Sequence, residues 1–524
     1  MLIYLLGESV YNIRLIKVIS VICVLCIVAI TWALSQTGAL GQDTSQQPTV
    51  LRDPGVRPGP AGGGQPLPGL QINENKMFLE GKLRAEELEG TCDSCGDVPG
   101  GGETGEDPLL ATKTNSAGLG ARFNGDQCIV CHSQPAIGGS GGFLVPNPGE
   151  PRPRQPENPL FDLVPHRKGA TNRVPSFITR FGPIREVRFL FKPDGTRDGG
   201  VHQLWTVVGR TDDPDIRDCA IRQPDFEREV ANRNVAFRIP LQLFGMGLID
   251  AIQDQEILRR HDETASYRAQ FGVEGVPNRS ANDGTITRFG WKAQNKSLTV
   301  FAGEAYNVEM GVTNELFPQA VEEADACNGP NKPHPNDVTR VATDDSENEA
   351  FDNPLHIFAD WMQFSLFMRF LDAPQPAPLS PSALRGKDLF TSMGCAACHT
   401  PQMTTAASIK STALRNKPVN LFSDLLIHHM GANLADNVIQ GNAGPDMFRT
   451  TPLWGVGQRI FFLHDGRTNN LIDAIEAHYS LATPANPTTR MPALGPSEAN
   501  RSIEAFRRAS VSDKQALLNF LRSL

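Results

Sequence analysis

The sequence predicts a mainly α-helical chain of two related units, the first enlarged by loop and short β-hairpin insertions. Three observations carry this. The pattern C-x-x-C-H occurs twice, at residues 128–132 and 395–399. A stretch with helical apolar spacing follows each copy, at 298–309 and 471–478. Residues 372–381 (DAPQPAPLSP) are proline-rich and separate the two halves.

The C-x-x-C-H pattern has a specific chemistry. Two thiols three residues apart can form thioethers to the vinyl groups of one haem, and the next residue then places an imidazole under the iron. Cys128, Cys131 and His132 form one such set, and Cys395, Cys398 and His399 the other. Two covalently bound c-type haems are therefore expected, in two cytochrome c-like units. Zinc half-sites or two local disulfides would also use such pairs, but neither needs the histidine at that position.

Composition sets the outer limits. At 524 residues the chain has room for two to four domains. Apolar residues are 40% and charged residues 20%, which excludes a disordered or coiled-coil chain. The net charge is −9 and no long basic run occurs, so no nucleic-acid partner is expected. With 48 glycines and 40 prolines, long loops should surround the helices.

The N-terminus reads as an address. After Arg14 and Lys17, residues 18–32 (VISVICVLCIVAITW) are apolar, and small-residue sites follow at 33–35 and 39–41. This describes a secretory signal peptide. The alternative is an uncleaved anchor, although a span needs about 20 apolar residues. A periplasmic or otherwise exported protein is expected, with membrane contact only through this segment if it is retained. In that compartment disulfides persist. Cys92, Cys95, Cys219 and Cys327 lie outside the two motifs and allow three pairings, of which 92–95 with 219–327 is favoured.

The expected organisation is a signal peptide (1–35), a flexible leader (36–75), an N-terminal haem domain with insertions (76–371), a linker (372–381) and a C-terminal cytochrome c-like domain (382–524). Residues 186–208 hold EVRFLF and VHQLWTVV around a Pro-Asp-Gly turn and predict a hairpin. Residues 353–371 predict an apolar helix. A weak repeat links the halves: Trp291 precedes Leu298 as His464 precedes Leu471, each pair C-terminal to a C-x-x-C-H motif.

The remaining iron ligands decide between electron transfer and small-molecule chemistry. Leu471, Ile475 and His478 share one helical face, so His478 points inward, as an iron ligand or as a buried histidine bonded to a carbonyl. In the other copy Leu298, Phe301, Ala302 and Ala305 form an apolar face, and Glu309 lies three turns on. A carboxyl there would have a raised pKa suited to moving protons. A helix-end salt bridge is the alternative.

The stretches RIPLQLFGMGLIDAI (238–252), RFGWKAQNKSLTVFAGEAYNVEMGVTN (288–314), SDLLIHHMG (423–431) and RTTPLWGVGQRIFFLHDGRTNNLIDAIEAH (449–478), with the two C-x-x-C-H motifs, resemble the di-haem oxidoreductases related to bacterial di-haem cytochrome c peroxidases. The resemblance implies a distal acid–base role for Glu309 in NVEMG (307–311). It implies an electron relay between the haems at Trp291, and the sixth ligand of the C-terminal haem at His478. Three departures stand out. The peroxidases carry Met where this chain has His478, and bis-His ligation lowers a haem potential relative to His/Met. Phe301 replaces a glutamine of the distal pocket. Arg459-Ile460-Phe461 lacks the Thr and Pro of the peroxidase calcium site, so calcium is not expected. His166 and His202 are candidate distal ligands for the first haem. His464 would orient a propionate or fill the core.

These readings make the chain a di-haem oxidoreductase of peroxidase type. Hydrogen peroxide would be reduced at the N-terminal haem, with electrons supplied through the C-terminal haem by a small redox protein or an organic substrate. Two alternatives remain: a di-haem oxygenase using dioxygen on an organic substrate, and a non-enzymatic electron carrier.

Overall fold

Two pairs of packed helices frame the computed structural model, which describes residues 50–90, 115–117, 119–120, 122–142, 157–161, 172–206, 222–318 and 358–524. The signal segment, His166 and the four cysteines assigned to disulfides lie outside the described residues. The helices that position the site are α1 (Ile72–Glu86), α2 (Leu298–Met310), α3 (Asp360–Phe370), α4 (Pro381–Ser392), α5 (Leu471–Glu476) and α6 (Val511–Ser523). No described helix is long and apolar enough to cross a membrane.

Helix α1 packs on α3, and α4 packs on α6. Both contacts need a glycine. A Cβ at Gly81 would run into the Gln363 carbonyl and the Phe367 backbone nitrogen, and one at Gly386 would run into the Ala516 carbonyl. An aromatic pair sits beside each contact: Phe78 with Phe367 and Phe390 with Phe520, both at 5.5 Å between ring centroids. Arg84 adds an ion pair from α1 to Glu87 (2.7 Å) and to Asp360 at the start of α3 (3.3 Å). Ser380 caps α4, with Pro381 at its first turn, and Ser510 caps α6. The apolar helix expected at 353–371 is α3.

Strand pairing is sparse. The described sheets are two-stranded. Among the described residues 33% are helix and 12% strand, so the class is mixed rather than mainly α. The predicted hairpin forms loosely, and its arms take their regular ladders from elsewhere. The Pro-Asp-Gly turn forms, with Gly195 N–H donating to Lys192 O at 2.9 Å. However, Glu186–Phe189 takes its ladder from Val235–Arg238, in antiparallel register. Trp205–Thr206 pairs with Arg122–Phe123. The two arms also meet each other, at the antiparallel bridges Phe191–Arg197 and Arg188–Val201 and through bonds such as Gly199 N–H to Phe189 O (2.7 Å) and His202 N–H to Val187 O (2.9 Å). Longer-range partners won because they bury Val187, Trp205 and Phe123 completely.

The stretch from residue 51 to 71, expected to be part of a flexible leader, is ordered. Its backbone laces onto both halves: Arg57 N–H bonds to Gly457 O (2.8 Å), and Leu67 N–H to Phe370 O (2.8 Å). Residues 372–375 then pair with it, through Asp372 N–H to Gln65 O (2.9 Å) and Gln375 N–H to Gly62 O (2.8 Å). Asp53 accepts from both Nε (2.8 Å) and Nη2 (2.6 Å) of Arg522. Gly and Pro kept this stretch out of regular structure, but its donors and acceptors still found partners. Residues 51–524 form one compact unit. The largest core cluster runs from Leu67 to Trp454 and so does not stop at the linker.

Candidate active site and the two cavities

Two cavities open inside this unit, of about 150 and 240 Å³. Both far exceed the roughly 30 Å³ of one water, so neither is a packing defect. Cys128, Cys131 and His132 line the first, and Cys395, Cys398 and His399 line the second. Each motif begins with a short 3₁₀ turn, Cys128–Val130 or Cys395–Ala397. In each turn the histidine N–H bonds back to the first cysteine's carbonyl at 3.0 Å. That turn puts both sulfurs and the imidazole on one wall.

The imidazoles are presented as metal ligands need to be. His132 Nδ1 donates to Gly139 O (3.1 Å), His399 Nδ1 to Phe422 O (3.0 Å) and His478 Nδ1 to Ala474 O (2.8 Å). A carbonyl can only accept, so each ring carries its proton on Nδ1 and leaves the Nε2 lone pair free. Burial drives the pKa of His132 and of His399 down to about 4, and lowers that of His478, which keeps all three neutral.

His478 lines the second cavity with His399. Helix α5 stops at Glu476, two residues before the histidine, but a turn keeps Leu471, Ile475 and His478 on the cavity wall, as the spacing implied. His428 also lines this cavity but is fully engaged. Its Nε2 meets Asp424 (2.9 Å) and its Nδ1 meets Glu498 (2.8 Å). Burial would neutralise it, yet Cys398, Asp424 and Glu498 around it hold its pKa well above the ordinary value. His464 stacks on Phe448 at 4.4 Å and meets Trp291 edge-on at 6.3 Å.

The second cavity also fits the anionic edge of a haem. Arg449 and Arg459 are buried in its wall, and burial alone lowers both pKa values to about 10. Arg459 Nε donates to Phe461 O (2.9 Å), while its Nη2 has no hydrogen-bond partner. A buried guanidinium in this state calls for a carboxylate, and haem propionates are carboxylates.

The first cavity is different. Helix α2 runs to Met310, so Phe301, Ala305, Tyr306, Glu309 and Met310 reach the void while Leu298 and Ala302 turn into the core. The helix end is tied to the segment before the first motif. Gly120 N–H bonds to Met310 O (2.8 Å), and Asn124 N–H to Glu309 O (2.7 Å). Gly311, at φ 71°, closes the helix against Gly120, where a side chain would collide. Glu309 Oε2 accepts from Asn124 Nδ2 at 2.7 Å.

Residues that sequence reasoning missed complete this wall. Glu186 and Arg188 come from the Glu186–Phe189 strand, Arg238 from its partner strand, and Glu304 from α2. Arg188 Nε holds Glu186 at 2.7 Å, and the Glu186 and Glu309 carboxyls share one stretch of the cavity wall. Glu309 therefore has a raised pKa, to about 8, first because it is desolvated and then because Glu186 repels its charge. Glu186 itself is held below the ordinary value despite burial, by Arg188 and Arg238. The available signal was E-x-R in a strand whose neighbours are apolar. In a strand, residues two apart share a face.

Trp291 lines both cavities. Its Nε1 donates to Ile239 O (2.8 Å), and the Arg459 guanidinium lies 5.8 Å from its ring centroid. Phe301 stacks beside Phe289 at 6.3 Å in the first cavity. His202 is corrected as a distal candidate. It pairs with Asp198 (3.1 Å), stacks on Phe189 (3.8 Å) and does not line the first cavity.

Residues 226–524 match the family described as "Di-haem oxidoreductase, putative peroxidase". The match takes in Trp291, Glu309, the second motif and His478, and it begins after the first motif. No curated protein matches the chain. Among solved structures, a single-substitution variant of the diheme peroxidase BthA from Burkholderia thailandensis aligns at 15% identity, over 49% of this chain and 76% of that one, with TM-score 0.26. A MauG-like protein associated with microbial copper homeostasis aligns at 16% identity, over 49% and 81%, with TM-score 0.25. At these scores neither likeness carries an argument about this chain. The family match spans more than half of the sequence, and the chain belongs to the di-haem oxidoreductases: it is an oxidoreductase enzyme whose cofactors are haems.

Proposed function

We propose that the protein reduces peroxide at a haem in the first cavity and receives electrons through a haem in the second. One observation carries this reading. The first cavity joins one imidazole with Nδ1 tied to a carbonyl, His132, to the acid Glu309, whereas the second joins two such imidazoles, His399 and His478. A haem with one fixed ligand can take a small molecule, and a haem with two carries electrons.

The haems would be held covalently, one by Cys128 and Cys131 and one by Cys395 and Cys398, in two cytochrome c-like units meeting near residues 372–381. When bound, each haem supplies a redox iron, and the first also supplies the site for peroxide. The chain's own residues do the rest. His132, His399 and His478 offer Nε2 because their Nδ1 protons are engaged. Asn124 fixes Glu309, whose carboxyl moves a proton between the peroxide oxygens. Arg449 and Arg459 neutralise propionates. Trp291, common to both walls, is the stepping point between the cavities. The protein would act after export, in the periplasm, on hydrogen peroxide, with a small redox protein or an organic molecule as donor.

Electron paramagnetic resonance of the ferric holoprotein tests the reading. A high-spin signal beside a bis-His low-spin signal, with the first consumed by peroxide, is expected. Two low-spin signals that peroxide leaves unmoved, even after one-electron reduction, would make the protein an electron carrier.

A further inference from the structure

The acid in the first cavity does not stand alone, and the arrangement around it fixes where its proton sits. Asn124 Oδ1 accepts the Leu204 N–H at 2.9 Å, so the amide is oriented and its Nδ2 must be the group facing Glu309. That donor occupies Glu309 Oε2. The other carboxyl oxygen is left to the cavity wall that also carries Glu186. Glu186 in turn is clamped by Arg188 Nε at 2.7 Å, and Arg188 is fixed by its Nη1 bond to Gly199 O at 2.9 Å. The charged and titratable groups facing the pair are Arg188 and Arg238 from the paired strands, Glu304 from α2 and Cys131 from the first motif. Two carboxyls in contact in one low-polarity cavity cannot both ionise freely, and the guanidinium decides which one does.

We propose that Glu186 and Glu309 hold one proton between them and work as a relay, with Glu309 facing the substrate and Glu186 as the positioning residue behind it. This rests on the peroxide-reducing reading above. In the forward transfer a peroxide O–H proton moves to Glu309 while the proton already on Glu309 moves to Glu186. In the reverse transfer Glu186 returns its proton to Glu309, and Glu309 gives one to the departing oxygen. Only O–H bonds form and break in the pair, and it moves no electrons.

Infrared difference titration of the ferric holoprotein in H₂O and D₂O reads the pair without turnover. The wild type should show one protonated-carboxyl band at neutral pH, and Glu309→Gln should remove it. In Glu186→Gln the band should persist but titrate away at least about one pH unit lower, because a like charge beside Glu309 has gone. The pH profile of kcat/KM should shift in the same direction. An unmoved midpoint and profile in Glu186→Gln would reduce Glu186 to a bystander while leaving the role of Glu309 intact. Should Glu186→Gln fail to fold with Arg188 unpaired, Glu309→Gln supplies a second reading. The ionised Glu186 carboxylate bands must shift when their hydrogen-bond partner changes, and bands that stay put overturn the pair. Unchanged peroxide turnover in Glu309→Gln would sink the functional reading itself, whatever Glu186 does.

Discussion

The two cavities begin from the same motif and end in different surroundings. On one wall they are near copies: a 3₁₀ turn, two cysteines and a histidine with Nδ1 tied to a carbonyl. The opposite wall makes the difference. In the first half α2 stays helical from Leu298 to Met310 and presents Glu309. In the second half α5 ends at Glu476, and the next turn presents His478. The surroundings follow suit. The first cavity gathers Glu186, Glu304, Arg188 and Arg238, and the second is walled by Phe448, Phe462, Leu471 and Ile475 with two buried arginines. A repeated motif is thus set in different surroundings by the helix that shares its cavity, while the wall that carries the motif stays constant.

The largest effect should come from breaking that contrast at the acid. Glu309→Gln keeps shape and burial but removes the transferable proton. Peroxide turnover should fall by about 10²–10⁴-fold, the usual worth of a positioned acid–base group. The optical and paramagnetic signals of the bis-His haem should stay as they were. A parallel loss in both haem signals would mean that Glu309 supports the fold rather than the chemistry.

Asp53 ties the N-terminal stretch to the second half and not to the first. It accepts from Arg522, from Leu471 N–H (2.7 Å) and from Gly55 N–H (2.9 Å). Burial opposes its charge, but these donors win and its pKa is lowered. A lowered folded-state pKa means that the contribution is complete above the unfolded value of roughly 3.9 and is lost as pH falls through the folded value. Asp53→Asn should cost about 3 kcal/mol at pH 7, since Arg522 is left buried without its partner. The difference from wild type should shrink below pH 4 in urea melts. A constant difference down to pH 2 would assign the loss to packing.

The glycines at the helix contacts offer a gentler comparison. Gly81→Ala and Gly386→Ala each place a methyl group against backbone, at a cost of about 1–3 kcal/mol. Hydrogen exchange should locate the loosening in α1 and α3 for the first and in α4 and α6 for the second. Loosening of both pairs in either variant would show that the helix pairs unfold as one cooperative unit.

What the sequence revealed of this site was what lies close together along the chain. The cysteine pairs, their histidines and the spacing of His478 from Leu471 are local patterns, and the structure keeps them on single walls. Glu309 was reachable because helical periodicity carried it onto the stripe of Phe301 and Ala305. Glu186 was not: it lies on a different element, and only the pairing of Glu186–Phe189 with Val235–Arg238 brings it to α2. The Asn124–Glu309 bond spans 185 positions of chain, and no periodicity reports such a contact. Composition misled at residues 51–71, because glycine and proline forbid regular hydrogen-bond ladders without forbidding individual bonds to other segments.

The smallest change to the molecule sharpens the comparison most directly. His478→Met replaces one neutral side chain able to bind iron with another just past the end of α5, where His478 is partly buried and held by one bond to Ala474 O. Met is unbranched and flexible enough to fill the same space, so stability should hardly change. The second haem should stay low-spin, while its potential rises, because thioether ligation favours the reduced iron relative to imidazole. Redox titration followed optically separates the two haems, and only one midpoint should move. If the first haem's midpoint moved instead, His478 would belong to the other iron. If neither moved, it would be a buried histidine bonded to a carbonyl and nothing more.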